Sequence, residues 1–298
     1  MHSHSHGHHG HHQSSDERLG WVFLLNVSFT IIEFIGGWLT NSTAIMADAV
    51  HDLGDSLAIG LAWILGHFSD KSPSKAYSYG YKRLSLFGAL VNSIILIIGA
   101  VFVLSEAIPR LFEPQMPVVE GMFALAVLGV AVNGFAVYKL KAGSTMNEKV
   151  LTWHLLEDAL GWLVVLVVSV VLMFVDWPIL DPILSIGFTL FILFNVLKSL
   201  KSTTGLFLQG TPDADTQRKI REVLSNKPQI DGVHHLHFWS LDGESHVLTA
   251  HLTLNAVYDV ETIKELKAAI ADELARFHLA HTTIEIEFPD EQCRDKSD

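Results

Sequence analysis

The 298-residue chain holds a single cysteine, Cys293, close to its C-terminus. An internal disulfide is therefore impossible, and cysteine usage leaves the redox compartment open. Charge is sparse as well. Asp, Glu, Lys and Arg make up only 17% of the residues, and the acidic ones prevail to give a formal net charge of −12. A chain of that sign lacks the basic footprint that nucleic acid requires, which excludes nucleic acid as a partner. The N-terminus shows no basic stretch leading into a short apolar core and a cleavage site, so no signal peptide is expected. What the chain has in excess is apolar surface: hydrophobic residues are 49% of the total and the mean hydropathy is +0.34. That is too much for an ordinary soluble protein of this size, and nearly all of it precedes residue 205.

Six apolar blocks, at 19–39, 43–68, 84–111, 118–139, 150–176 and 179–200, approach or exceed the roughly 20 residues that cross a bilayer. The basic residues between them alternate. Lys71, Lys75, Lys82 and Arg83 follow the second block, Lys139, Lys141 and Lys149 the fourth, and Lys198 and Lys201 the sixth. The loops of the other side hold only Arg110, which could pair with Glu106 one turn earlier. The positive-inside rule then puts both termini in the cytoplasm of a multi-pass protein of the inner (plasma) membrane.

From about residue 211 the composition becomes that of a small soluble domain. A helix is expected over 214–226 and strands over 232–240 and 246–255, the latter with Leu248, Ala250, Leu252 and Leu254 on one face. Ile263, Leu266, Ile270 and Leu274 mark a second amphipathic helix. A last strand at 282–288 is expected to turn Ile284, Ile286 and Phe288 inward and Thr283, Glu285 and Glu287 outward. The order α-β-β-α-β predicts a two-layer α+β fold. The chain thus divides into a His-rich cytoplasmic tail (1–17), a six-helix transmembrane domain (18–204), a cytoplasmic domain (205–290) and a frayed tail (291–298). The first tail carries His2, His4, His6, His8, His9, His11 and His12 laced with Ser and Gly, unlike an unbroken expression tag. Such a tract gathers metal ions weakly without forming a fixed site.

Inside the second block Asp48, His51, Asp52 and Asp55 fall at i, i+3, i+4 and i+7, so one helix face carries all four. In the fifth block His154 and Asp158 repeat the His-x-x-x-Asp spacing. Ionisable side chains at membrane depth are costly, and by default they mark function. A bound dication offsets that cost, and so does protonation. Two imidazoles and two carboxylates, His51, Asp55, His154 and Asp158, make a four-coordinate site suited to Zn²⁺. The competing explanation is a polar network that merely holds helices together. Asn26, Glu33, Asn92 and Asn133 in the other blocks suit that role, although Glu33 could instead line a cation path.

The segments ADAVHDLGD, HLLEDALG, YGYKR and VHHLHFWSL together resemble the cation diffusion facilitator family, the zinc-exporting proton antiporters, and most of all its bacterial zinc and cadmium efflux branch. The resemblance runs over about residues 16–290. It implies export of Zn²⁺, with Cd²⁺ and Co²⁺ as possible cargo, from the cytoplasm in exchange for protons by alternating access. It implies a homodimer, and a cytoplasmic metal-binding and dimerisation domain of ferredoxin-like, metallochaperone-like fold. Carried over residue by residue, the transport ligands are His51, Asp55, His154 and Asp158.

A second metal site, after the second span, is not expected, because that loop offers only His67 and Asp70. In the cytoplasmic domain the resemblance implies zinc ligands at His234, His251 and Glu287, with His237 and Glu285 as weaker candidates. Strict strand alternation stands against His234, which it places with Leu236 and Phe238 on the face opposite His251, unless the strand begins after it. Two other functions are compatible with buried metal ligands: a membrane metal sensor, and an intramembrane metallohydrolase. The latter would need a motif such as His-Glu-x-x-His, which is missing; no enzymatic activity is expected.

Overall fold

The computed structural model describes residues 10–69, 73–140 and 146–295. The chain separates into two compact units, residues 1–60 with 91–198, and residues 61–90 with 199–298. Six long helices come first: α1 (Gly10–Thr40), α2 (Thr43–Ser69), α3 (Leu84–Ala107), α4 (Val119–Leu140), α5 (Met146–Phe174) and α6 (Leu180–Phe207). Among the described residues five of them, α1 and α3 to α6, are long and apolar enough to cross a membrane. The remaining helix, α2, is of similar length but carries Asp48, Asp52 and Asp55 in its first half. The apolar residues of these helices face outward to an extent that water would not tolerate: Trp38 is 78% exposed, Phe194 68% and Phe174 84%. A hydrocarbon surround satisfies such faces, while the helices satisfy their own backbone groups.

The interior of the first unit is a cluster around Trp162, with Phe29 of α1, Ile45 of α2, and Met122 and Ala126 of α4. The ring of Phe29 meets the indole edge-on, 5.6 Å between centroids, a favoured aromatic geometry. Helices α4 and α5 pack closely because Gly129 leaves room for the indole: a Cβ at 129 would lie 2.2 Å from Cδ2 of Trp162. Gly129→Ala should therefore cost about 1–3 kcal/mol through overpacking, visible as a lowered melting temperature in detergent.

The start of α2 is held by α6. Asp181, 1% exposed, accepts from the Ser42 hydroxyl (2.5 Å), the Thr43 N–H (2.7 Å), the Thr43 hydroxyl (2.8 Å) and the Ala44 N–H (3.3 Å). Ser185, one turn further along α6, donates to the Thr43 carbonyl at 2.9 Å. A carboxylate at a helix N-terminus satisfies orphan N–H donors and complements the macrodipole. Here it comes from another helix. On the loop before α2, Asn41 takes a left-handed φ of 55°. Its carbonyl and side-chain oxygens accept from Arg110 at 2.7 and 2.8 Å. Arg110 therefore ties down this turn instead of pairing with Glu106: α3 ends at Ala107 and Arg110 lies in the short 3-10 turn Pro109–Leu111, so the two are no longer one turn apart on a continuous α-helix.

In the second unit, α7 (Ala214–Ser225), β1 (Ile230–Ser240), β2 (His246–Leu254), α8 (Val260–Leu274) and β3 (Leu279–Glu287) follow in the expected α-β-β-α-β order. The sheet order is β1-β2-β3, with β1 antiparallel and β3 parallel to the central β2. Helix α8 is the crossover that a parallel pair requires. Leu248, Ala250, Leu252 and Leu254 pack against Ile220 and Leu224 of α7 and Leu266, Ile270 and Leu274 of α8. On β3, Ile284 and Ile286 join this core. Phe288 lies just past the strand and is exposed, whereas Glu287 is buried; alternation ends with the ladder, and the imidazoles of β1 and β2 cover the glutamate.

Both helices start on aspartate caps. Asp213 accepts from the N–H groups of Asp215 and Thr216, and Asp259 from that of Thr262. Hydrogen bonds from the Thr216 hydroxyl and N–H hold the Asp213 carboxyl below its usual value, and those of Thr262 do the same for Asp259. A depressed folded-state value means that the stabilisation is complete above the ordinary Asp value of about 3.9 and fades as pH falls through the lowered one. A chain with both Asp213→Asn and Asp259→Asn should therefore lose helical signal less steeply in acid, as circular dichroism would register; an unchanged acid profile would contradict the caps.

Candidate metal sites

On α2 the helical repeat puts Asp48, His51, Asp52 and Asp55 on one face, and α5 brings Asp158 to it. Nε2 of His51 lies 3.4 Å from Oδ2 of Asp55 and 3.9 Å from Oδ1 of Asp158. The ring of Phe188 on α6 meets the His51 imidazole edge-on at 5.8 Å. One ligand atom each of His51, Asp52 and Asp55 lie within 4.8 Å of one another. The side chains of His51 and Asp55 are 22% exposed while that of Asp158 is 3% exposed. The group is thus more exposed on its α2 side than at Asp158 of α5.

His154 stands on α5 one turn before Asp158; its side chain lies outside the described residues. So do the side chains of His67, His11 and His12, and the whole of Asp70, His2, His4, His6, His8 and His9. Asp52, 1% exposed, was visible from the sequence as sharing the face; only the folded geometry puts it within reach of the same ion.

Glu33 of α1 is fully buried, and neither of its carboxylate oxygens has a hydrogen-bond partner among the described residues. It therefore does not serve as a hydrogen-bonding link between helices. Asn26 does hold helices together, donating to the Ser56 hydroxyl of α2 at 3.2 Å. Asn133 donates within its own helix, to the Gly129 carbonyl at 3.2 Å.

The second group forms at the far edge of β1, β2 and β3. His234 pairs in register with His251, and His251 with Glu285. Nε2 of His234 lies 3.0 Å from Oε2 of Glu287, and Nδ1 of His251 2.9 Å from Oε1. Both imidazoles thus close on one carboxylate. The objection from strand alternation is removed by a bulge: the register shifts between His234 and His237, and His235 adopts a left-handed φ of 47°. One inserted residue returns the chain to the same face, so His234 faces His251 while Leu236 and Phe238 still point into the core.

His237, beyond the bulge, pairs with Thr249 and is exposed. Glu285 approaches the other nitrogen of His251 at 3.7 Å and is held by Arg294 at 2.6 Å. Burial raises the Glu287 carboxyl, but hydrogen bonds from Cys293 and His251 and the two neighbouring imidazoles outweigh it and leave the group below its ordinary value. An ionised carboxylate between two imidazoles is a donor set that fits Zn²⁺.

The comparisons cover both units. A family profile described as the cation efflux transmembrane domain matches residues 21–208, and one described as the cation efflux protein cytoplasmic domain matches 212–288. Similar chains include the zinc transporter ZitB of Escherichia coli strain K12, 31% identical over 295 residues, with 96% of this chain and 93% of that one covered. The metal cation efflux system protein CzcD of Cupriavidus metallidurans is 30% identical over 295 residues, covering 97% and 92%. A cadmium, cobalt and zinc/H(+)-K(+) antiporter of Bacillus subtilis is 26% identical over 284 residues, covering 94% and 91%. With its helical membrane region, its α+β domain and matches along nearly its whole length, the chain belongs to the cation efflux family, in its bacterial zinc branch, and is a multi-pass transporter and not an enzyme.

Proposed function

We propose that the protein exports Zn²⁺ from the cytoplasm in exchange for protons, with His51, Asp55, His154 and Asp158 as the ligands of the transported ion. The observation that carries this reading is the approach of His51 to both Asp55 and Asp158, which joins ionisable groups of two apolar helices in one place. Imidazoles must be neutral and carboxylates ionised to hold a metal, so protons compete for the same atoms; that competition is the root of the exchange. The helix bundle then rocks to open the site to one side or the other, as alternating access requires. Cd²⁺ and Co²⁺ suit the same two-nitrogen, two-oxygen set. The names of the similar transporters, which include zinc, cadmium and cobalt, support this choice.

Residues 18–204 form the transport domain in this reading and residues 205–290 the cytoplasmic one. Both termini lie in the cytoplasm and the bilayer is the inner membrane, as the placement of the basic loops suggests. The protein works as a homodimer. His234, His251 and Glu287 bind zinc in the cytoplasmic domain and tighten the dimer when cytosolic zinc rises.

The test of transport is zinc flux into proteoliposomes that hold a zinc-sensitive dye. Flux driven by an imposed proton gradient is expected; flux indifferent to the gradient would remove the exchange. Replacing His51 by Asp keeps four ligands but hardens the set. It should shift preference towards oxygen-seeking ions and alter the pH dependence, and unaltered selectivity in the same assay would count against the assignment.

A further inference from the structure

The segment after β3 does not run off into solvent. The N–H of Phe288 donates to Oε2 of Glu291 at 3.1 Å, and the N–H of Glu291 returns to the Phe288 carbonyl at 3.0 Å. This closed turn sends the chain back along β3, where Arg294 clasps Glu285 at 2.6 Å. Cys293 is thereby delivered to the imidazole edge, with Sγ 3.5 Å from Nδ1 of His251. One ligand atom from each of His234, His251, Glu287 and Cys293 lie within 4.8 Å of one another. Two nitrogens, one oxygen and one sulfur are thus gathered closely enough to share one ion.

We propose that Cys293 is the thiolate ligand that closes the cytoplasmic metal site within one chain, making the returning tail part of that site. The proposal rests on the reading of His234, His251 and Glu287 as metal ligands. Structural zinc sites are four-coordinate and closed by protein atoms, and those three residues leave one position vacant. The other candidates are poorly placed for it. Glu285 is engaged by Arg294 and faces the opposite nitrogen of His251, and His237 is exposed beyond the bulge. Cys293 approaches Nδ1, the nitrogen that Glu287 also faces.

On binding, the metal displaces the thiol proton to solvent and a metal–sulfur bond forms; no oxidation state changes. A sulfur ligand makes the site softer than the membrane one, which offers only nitrogen and oxygen, and biases it towards Zn²⁺ and Cd²⁺ over Mn²⁺ and Mg²⁺.

Because the chain has one cysteine, the test is direct on the full-length protein in detergent. Alkylation of the thiol by a maleimide is followed with and without Zn²⁺, and Co²⁺ is titrated as an optical probe. Zinc should slow alkylation at least tenfold, and Co²⁺ should give the near-ultraviolet charge-transfer band of a thiolate complex. Cys293→Ser should abolish that band, and His251→Gln should abolish both the band and the protection. The His-rich tail and the ligands of the membrane site contain no thiol, so they cannot produce the band. Metal binding that depends on His251, without a thiolate band and without protection, would overturn the role of Cys293 and leave the cytoplasmic site standing. Absence of any His251-dependent binding would overturn both.

Discussion

Asp158→Ala is expected to abolish gradient-driven zinc flux, with a loss of metal affinity at the membrane site of at least about 100-fold, the upper range for losing a mere supporting group around a metal. Asp158 of α5 reaches His51, at 3.9 Å, and it is almost fully buried. In the proposed set its removal leaves His51 and Asp55 on α2 and His154 as the single ligand from α5. A three-ligand site with one tether to α5 binds the ion more weakly and couples it less firmly to the movement of one helix against another, so affinity and transport should fall together. Asp55→Ala leaves His51 and Asp158 still spanning the two helices and should reduce affinity more than it uncouples transport. Zinc flux in proteoliposomes, read beside equilibrium binding for each variant, checks the distinction. Flux through Asp158→Ala equal to that of the parent would mean that the ions take another path.

Asp181→Ala should have the largest effect on stability. The carboxylate accepts two N–H and two hydroxyl hydrogen bonds from Ser42, Thr43 and Ala44 in a place closed to water. Truncation strands those donors at the start of α2. Leaving buried donors unsatisfied costs about 1–3 kcal/mol each where no water can replace the acceptor; with partial relaxation, a total of about 3 kcal/mol is expected. The apparent melting temperature in detergent should fall by about 10 °C.

Asp181→Asn keeps the shape and one acceptor oxygen, so it should fall between the two. The loss should also reach the metal site, because α2 carries His51 two turns further on, and a start that is no longer pinned to α6 no longer sets its depth. A variant as stable as the parent would show that Ser42 alone, which accepts from the Ile45 N–H at 3.2 Å, caps the helix.

The six apolar helices and the α-β-β-α-β order of the second unit were legible in the sequence. Burial in a bilayer demands long apolar blocks, and a half-buried strand demands alternation; both are local rules. The common face of Asp48, His51, Asp52 and Asp55 was equally legible, since the helical repeat alone puts residues i, i+3, i+4 and i+7 together. What one helix presents to another is not a local matter. The sequence of α6 begins Leu-Asp-Pro, which reads as an ordinary acidic helix start, and nothing in it names α2 as the beneficiary. The same holds for Arg110, which donates to the two oxygens of Asn41 and not to Glu106, its nearest acid in the chain.

The cytoplasmic cluster shows the limit most sharply. Strand alternation gave the wrong face for His234, because alternation assumes an unbroken ladder and the left-handed His235 interrupts it. A bulge is decided by the fit of two strands, which no single strand encodes. Cys293 follows Pro289 in a polar stretch without periodicity, so no pattern tied it to His251, which precedes it by 42 residues. By itself, then, the sequence determined where the long apolar helices lie, which helix faces carry ionisable groups and in what order the elements of the second unit occur, all consequences of hydropathy and backbone period. The tertiary structure alone decided which carboxylate meets His51 across two helices, which residue caps α2 and where the C-terminal turn leaves its thiol, because each depends on distances between segments far apart in the chain.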